Sequence, residues 1–343
     1  MRIFRYISII VLLAVLALYL RSTFSDYQEF GGNIFNTYYR VKIRTPLNDK
    51  TLPSKIREAL EDVNAKMSVF RQDSEISRLN QAKSGEAVTL SEPLSYLLKR
   101  AKQINRESRG AFDPAIAPLI DLWGFGPGSR RPEPQADELA EVLSYSNFNK
   151  LDFSPDFRTV SKADSRTELN LSAIAKGYAV DRVAAVLEDA GFKDYIIEIG
   201  GEVRLSGTRD DAGSLWNIGI GVPLKDSRAN AMAIELSDYS VATSGDYRNF
   251  IEENGKTFSH TISPQTGRPV KNELASVTVF APQCMDADAY ATAIMALGAQ
   301  DGRALAEKLK LPVIFFLHTE DGGFAIKTSS QAKKLIGFDH EAN

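Results

Sequence analysis

Residues 284–298, CMDADAYATAIMALG, combine strong helix formers with an apolar stripe at Ala289, Ala293, Ile294 and Leu297. The pattern predicts a helix that begins near Asp286 and ends at Gly298. On this helix Asp288 and Thr292 are four residues apart, so a carboxylate and a hydroxyl project from one face. Two such oxygens suit a hard cation such as Mg²⁺. The alternative is structural, because acids in a first turn complement the helix dipole and threonine can bond back to a carbonyl.

The composition is that of an ordinary globular protein with a sizeable core. The chain has 343 residues, 43% hydrophobic and 25% charged, which allows one large or two ordinary domains. A formal net charge of −3 argues against a nucleic-acid binder. The single cysteine, Cys284, excludes an intramolecular disulfide and a Cys-cluster metal site, and three histidines argue against a poly-His zinc site.

The N-terminus has the pattern of an export segment. Arg2 and Arg5 precede an apolar run over 7–20, and Arg21 follows it. The end of the run is a poor small-residue cleavage site, so residues 1–21 are interpreted as an uncleaved signal anchor, with a cleaved signal peptide as the alternative. Positive residues stay inside, which predicts the periplasmic face of a bacterial inner membrane, or the periplasm after cleavage. Residues 22–34 are then expected to be a linker.

The remaining chain mixes strand-like and helix-like patterns without strict βαβ alternation. This predicts an α+β fold with mixed sheets and flanking helices over residues 35–332, followed by a tail at 333–343. A long irregular stretch, 110–126, interrupts the regular patterns and carries several glycines and prolines. Long irregular stretches inside compact domains are often functional.

Four further stretches contain residues that could carry chemistry. Asp113, which precedes a proline among aromatic residues, could grip a flat ring with a polar edge or form an Asx-Pro turn. Lys176, near a helix start at 170–178, could seat a phosphate or be a solvated surface lysine. The Gly200-Gly201 pair could admit a ligand close to the backbone or form a bulge or hairpin turn. His260, among Ser and Thr, could be an acid/base or phosphate contact or a structural histidine.

Taken in order, these stretches resemble the ApbE family of FAD:protein FMN transferases. The resemblance extends over roughly residues 33–330. The segments that carry it are MSVFRQDSEISRLN (67–80), GAFDPAIAPLIDLWGFG (110–126), NLSAIAKGYAVDRV (170–183), IEIGGEVRLSG (197–207), ATSGDYRNF (242–250), FSHTISPQTGRPV (258–270) and DADAYATAIMALG (286–298).

The resemblance implies a single T-fold-related domain that binds FAD in an extended cleft and uses Mg²⁺. The implied metal ligands are Asp288, Thr292 and the Ala173 carbonyl. The implied FAD contacts are Phe35, Ser68, Val69, Phe70, Ala111, Phe112, Asp113, Lys176 and His260. Two positions depart from the family pattern. Asn36 stands where the family usually has Gly, and Asn170 where it usually has Asp, a helix-capping task that Asn also performs.

By the same resemblance, a Thr or Ser of a membrane-associated flavoprotein would receive FMN from FAD with release of AMP. Expected acceptors are subunits of Na⁺-translocating NADH:quinone oxidoreductase or of Rnf-type complexes. His260 is the hypothetical base, as the only mid-chain group that titrates near neutrality, with Asp288 as the alternative. The rival interpretations are an FAD pyrophosphatase, in which water replaces the acceptor, and a non-enzymatic flavin-binding or flavin-delivery protein.

Overall fold

An eight-stranded antiparallel sheet forms the centre of the fold. The computed structural model describes residues 27–45, 49–126, 133–224, 230–245, 250–253, 256–259, 261–271 and 273–337. The strand order of the central sheet is β1-β2-β6-β7-β10-β13-β14-β15, with three small sheets formed by β3-β5-β4, β8-β9 and β11-β12. The prediction of an α+β fold with mixed helices and strands is confirmed.

The strands in chain order are β1 Tyr27–Ile34, β2 Thr37–Arg44, β3 Val88–Thr89, β4 Leu151–Phe153, β5 Thr159–Lys162, β6 Tyr195–Ile199, β7 Glu202–Ser206, β8 Trp216–Gly221, β9 Asn230–Leu236, β10 Ser240–Gly245, β11 Phe250–Glu253, β12 Lys256–Ser259, β13 Leu274–Ala281, β14 Val313–His318 and β15 Phe324–Thr328. The helices are α1 Leu52–Met67, α2 Glu75–Gln81, α3 Glu92–Glu107, α4 Ala117–Leu122, α5 Ala136–Tyr145, α6 Ser172–Asp189, α7 Cys284–Leu309 and α8 Ser330–Ile336, with short 3-10 turns at Pro114–Ile116 and Phe148–Lys150.

Both faces of the central sheet are covered. On β14, Val313, Phe315 and Leu317 belong to the main core, which the helices α1, α3, α6 and α7 share. The alternate residues Ile314 and Phe316 face a second core under the β8-β9 hairpin. Since successive side chains on a strand point to opposite faces, two-sided burial explains why β13 and β14 are almost continuously apolar.

The boundary predicted at residue 35 is wrong, because residues 27–34 are not a linker. They form β1, which pairs with β2 along its full length from Tyr27↔Arg44 to Ile34↔Thr37. The segment contains two glycines and several polar residues, and none of its residues is fully buried, as an edge strand allows. It therefore lacks the alternating apolar pattern by which strands are recognised. Residues 22–26 lie outside the described ranges.

Of the two expected terminal segments, only the first residues of the tail lie within the described part of the chain. No helix of the described part of the chain is both long and apolar enough to cross a membrane. The expected anchor at 1–21 lies outside that part. The expected tail at 333–343 begins inside α8, whose N-cap Ser329 accepts a hydrogen bond from the Ala332 N–H, so its first residues are helical.

The predicted helix of residues 286–298 is present and longer than expected. It begins at Cys284 and reaches Leu309, with an interruption at Gly298 (φ 81°, ψ −178°). It packs directly against α6, where Gly177 faces the backbone of the first turn of α7. A Cβ at position 177 would lie 2.6 Å from the Met285 Cα and closer still to the Cys284 carbonyl oxygen.

Replacement of Gly177 by alanine should therefore destabilise the protein, although an exposed helical Gly→Ala change normally stabilises by about 1 kcal/mol. The clash is with backbone atoms, so α6 and α7 must separate, and we expect a loss of about 2 kcal/mol in the free energy of unfolding. Urea denaturation measures it. Gly221→Ala is the control, because nothing lies within 4 Å of a Cβ there. Equal stability of Gly177→Ala and wild type would contradict the close approach of the helices.

Candidate active site

A cleft of about 900 Å³ lies where the start of α6, one face of α7, the end of β10 and the β1-β2 turn meet the segment after α3. Asp288, Thr292 and Ala173 all line it, as do Lys176 and Glu202. These five residues come from three separate elements. The fold therefore brings together the metal ligands that the family resemblance implied.

Asp288 is held at the contact between α6 and α7. Its side chain is buried, with 4% of the residue exposed, and Oδ2 accepts a 3.0 Å hydrogen bond from the Gly177 N–H. In a regular helix that N–H would be given to the Ala173 carbonyl four residues earlier. A carbonyl oxygen has two lone pairs, so the Ala173 carbonyl can accept a further partner even where it also accepts this N–H. Asp288 Oδ1 has no hydrogen-bond donor among the described residues.

Thr292 lies one turn after Asp288 on the same face of α7. Its Oγ1 is 3.4 Å from Ser244 Oγ at the end of β10. One carboxylate, one hydroxyl and one carbonyl form an all-oxygen donor set that fits Mg²⁺, which is commonly held by one or two carboxylates while phosphates and water fill other positions. Within the described ranges no cluster of three or more His, Cys, Asp or Glu residues provides a denser metal site.

Lys176 and Glu202 form an ion pair next to Asp288. Lys176 Nζ donates a short hydrogen bond to Glu202 Oε1. The lysine side chain is 35% exposed and the glutamate side chain 4%. Burial raises the pKa of Glu202 to about 7, against the opposing effect of Lys176. Burial also raises the pKa of Asp288. For Lys176 burial acts to lower the pKa, but Asp288 and Glu202 outweigh it and the pKa is raised.

Asp286, in the first turn of α7, neither caps this helix nor lines the cleft. It lies on another face of α7, where both its oxygens accept hydrogen bonds from Arg100, at 2.6 and 2.9 Å. The N-cap position is Gln283, which makes no side-chain cap. Asp181 of α6 performs that task instead, because its two oxygens accept the Cys284 and Met285 N–H groups at 2.9 Å each. The sequence has no local signal for this cap, since the partners are more than 100 positions apart.

Of the four predicted flavin contacts between residues 35 and 70, two line the cleft and two do not. Phe35 lies in the two-residue β1-β2 turn, where Phe35 (φ 51°) and Asn36 (φ 58°) are both left-handed. Asn, like Gly, tolerates this conformation, so the departure at Asn36 preserves the turn. Phe70 also lines the cleft and is 71% exposed. Ser68 and Val69 do not line it, since Ser68 ends α1 and Val69 packs against the main core.

Ala111, Phe112 and Asp113 all line the cleft. The Asp113 carboxylate, however, accepts hydrogen bonds from backbone N–H groups of the protein itself. Its Oδ1 accepts the Ala115 N–H at 2.8 Å and its Oδ2 the Phe148 N–H at 3.1 Å. The Asx-Pro turn is therefore present. The Phe112 ring belongs to the main core, so this residue reaches the cleft without an exposed aromatic face.

Of two further predicted positions, Asn170 lines the cleft and His260 cannot be placed. Asn170 Oδ1 accepts the Ser172 N–H at 2.9 Å directly before α6, whose N-cap position is Leu171. His260 lies outside the described residues, whereas the residues that follow it, Thr261 and Ile262, line the cleft. The Gly200-Gly201 pair is the two-residue turn of the β6-β7 hairpin, with φ of 60° and 103°. It places Glu202 at the first position of β7.

The raised pKa of Asp113 predicts that the stability of the fold depends on pH. Burial raises its pKa to about 6 from 3.8, so the folded state binds a proton that the unfolded state releases between these values. Ionisation at higher pH then costs stability, by roughly 3 kcal/mol for a shift of this size. The stability of wild type relative to Asp113→Asn should fall as pH rises from 4 to 6. Denaturant titrations at several pH values measure this difference, and a constant difference would contradict the raised pKa.

The comparisons with known proteins agree with the geometry. The model of the ApbE family matches residues 35–315. A relative from Vibrio cholerae, named FAD:protein FMN transferase, is 41% identical over 90% of this chain and 92% of its own length. One of the same name from Haemophilus influenzae is 40% identical over 90% and 91%.

Solved structures superpose over nearly the whole described chain. The flavin transferase ApbE from Vibrio cholerae has a TM-score of 0.81 and 38% identity, and the match covers 90% of this chain and 100% of that one. The apo form of the Pseudomonas stutzeri flavinyl transferase ApbE has a TM-score of 0.83 and 32% identity, covering 91% and 98%. The chain is a member of the ApbE family and a transferase.

Proposed function

We propose that the protein is an FAD:protein FMN transferase that uses Mg²⁺ and attaches FMN to a Thr or Ser hydroxyl of an acceptor protein. The observation that carries the proposal is the composition of this cleft. Its walls join the Lys176, Asp288 and Thr292 group to an exposed aromatic side chain, Phe70. FAD has the same two features, a charged pyrophosphate and flat aromatic rings. The reaction itself, transfer of FMN from FAD to a protein, is taken from the names of the relatives.

The polar group suits a pyrophosphate. Asp288, Thr292 and the Ala173 carbonyl would hold Mg²⁺, which offsets negative charge on phosphate oxygens when it is bound. The Lys176 ammonium, partly exposed to the cleft, would contact another phosphate oxygen. The N–H groups at the start of α6, near Ser172 and Ala173, add the positive end of a helix dipole.

The aromatic and backbone walls suit the rings and the chain of the dinucleotide. Phe70 presents a ring to solvent at the cleft wall, where stacking on a flat heterocycle would remove it from water. The left-handed turn at Phe35 and Asn36 brings backbone atoms to the same wall. Ala111 and Asp113 form a further part of it. These residues would bind and orient FAD without taking part in bond exchange.

In the chemical step the acceptor hydroxyl oxygen attacks the phosphorus on the FMN side of the pyrophosphate. A new P–O bond to the acceptor forms, the P–O bond to AMP breaks, and AMP leaves with the bridging oxygen. The hydroxyl proton passes to a base, for which His260 is the first candidate and Asp288 the alternative. The protein contributes positioning and charge, which are its main means of accelerating phosphoryl transfer.

The acceptor and the location belong to the same proposal. Expected acceptors are subunits of Na⁺-translocating NADH:quinone oxidoreductase or Rnf-type complexes. Residues 1–21 would anchor the enzyme in a bacterial inner membrane with the catalytic domain on the periplasmic face, or would direct it to the periplasm if cleaved. The apolar run at 7–20 between arginines supports this placement.

Incubation of the protein with FAD, Mg²⁺ and a candidate acceptor, followed by intact-mass measurement, tests the activity. The proposal expects one FMN per acceptor and one AMP released. Free FMN and AMP without modified acceptor would instead identify a pyrophosphatase. Intact FAD at the end of the reaction, with saturating Mg²⁺, would identify a flavin-binding or flavin-delivery protein.

Asp288→Ala should abolish Mg²⁺-dependent flavinylation while part of the FAD affinity remains, because the change removes the only carboxylate of the donor set. The measurements are the flavinylation rate and the FAD dissociation constant from flavin fluorescence. Asp286→Asn is the matched control on the same helix, since its partner is Arg100 and it does not line the cleft. Full activity of Asp288→Ala would refute the metal site.

His260→Ala should reduce the flavinylation rate by about 10²–10⁴-fold, the usual contribution of a general base. FAD affinity should change less than the rate. The rate is measured in single-turnover reactions with preloaded FAD, over a range of pH. Wild-type rates in this variant would remove His260 as the base and leave Asp288 as the remaining candidate.

A further inference from the structure

Glu202 is a buried acid that the proposed chemistry does not use. Only 3% of the residue is exposed, and it lines the cleft as the first residue of β7. Oε1 accepts the hydrogen bond from Lys176, while Oε2 is buried and has no partner among the described residues. A carboxylate in this position is costly for stability. An apolar side chain at this position would stabilise the fold as well as the acid does. The presence of an acid therefore needs a functional explanation.

The hydrogen bonding of Lys176 provides a functional explanation for the buried acid at Glu202. Two buried carboxylates, Glu202 and Asp288, both act on the ammonium group electrostatically. Its hydrogen bond nevertheless goes to Glu202 and not to Asp288. A lysine has a flexible four-carbon stem and its ammonium can adopt several positions. If Glu202 were neutral, the remaining buried carboxylate, Asp288, would attract the ammonium and lose its free oxygen.

The backbone supports a fixed position for Glu202. The Gly200-Gly201 turn directly before it has left-handed glycines, and a Cβ on Gly200 would lie 2.9 Å from Thr37 Cγ2. The β6-β7 hairpin is therefore packed against the β1-β2 turn at the cleft. Glu202 reaches Lys176 from β7, a strand of the central sheet.

We propose that Glu202 is a positioning residue that draws the Lys176 ammonium away from Asp288, so that Asp288 remains free for a divalent cation while Lys176 faces the pyrophosphate. The inference rests on the proposed function, since it assumes that Asp288 binds Mg²⁺. It assigns no contact between Glu202 and the metal. Glu202 acts only through Lys176.

A double-mutant cycle on Mg²⁺ binding tests this role. The full chain and its Glu202→Gln, Lys176→Met and doubly substituted variants are titrated with MgCl₂ by calorimetry. We expect Glu202→Gln to weaken Mg²⁺ binding roughly tenfold, the size of a lost charge-assisted hydrogen bond. In the Lys176→Met background the same substitution should change the affinity by less than about twofold, because no ammonium remains to occupy Asp288. An equal loss in both backgrounds would overturn the proposal and indicate that Glu202 acts through its own charge.

Thermal unfolding and two further variants separate positioning from folding. Glu188→Gln is the matched control, because it breaks an ion pair between α6 and Arg204 of β7 outside the cleft. It should leave Mg²⁺ affinity unchanged. If Glu202→Gln does not fold, Glu202→Asp replaces it: this variant keeps the charge and should bind Mg²⁺ within about threefold of wild type. A larger loss in a folded Glu202→Asp, unchanged by Lys176→Met, would also overturn the proposal.

Failure of the role proposed for Glu202 can be distinguished from failure of the proposed transferase function. Mg²⁺ binding that is absent in wild type, or that survives Asp288→Ala, would refute the metal site and with it this inference. Wild-type flavinylation that requires Asp288, combined with additive effects of Glu202 and Lys176, would leave the transferase intact and refute only the role of Glu202.

Discussion

The approach of α6 to α7 at Gly177 is the contact on which the cleft depends. With no side chain at this position, the two helices meet through their backbones. The Gly177 N–H can then reach Asp288. Asp181, one turn further along α6, caps the first turn of α7 and fixes its starting point. One close contact thus sets the relative positions of all three proposed metal ligands.

The sheet supplies the opposite side of the cleft. Its central strands are buried on both faces, so they form a rigid platform that local sequence changes at the cleft would disturb little. From this platform two tight turns extend to the cleft, the β1-β2 turn at Phe35 and the β6-β7 turn at Gly200. Both need left-handed residues, which explains Asn36 and the glycine pair. On this side, the cleft is therefore lined by short turns between paired strands.

The parts of this arrangement that are encoded locally could be predicted from the sequence, and those that depend on distant contacts could not. The period of residues 286–298 identified the helix and placed Asp288 and Thr292 on one face, because both properties follow from neighbouring residues. β1 was missed, since an exposed edge strand has little apolar alternation and is defined by its partner. The roles of Asp181 and Asp286 depend on α6 and α3, far along the chain, so no pattern near residue 286 could reveal them.

The charges at the cleft show why stability and function conflict there. Asp288 and Glu202 are almost fully buried, and Lys176 is the only cation with which the described residues balance them. The raised pKa values of both acids, caused by burial, reflect the cost of keeping two carboxylates ionised beside one ammonium. Under the proposed function a divalent cation would reverse the sign of this cluster and make it complementary to a pyrophosphate. On that proposal, the excess negative charge, which is unfavourable for folding, would repel the phosphates until the cation is bound.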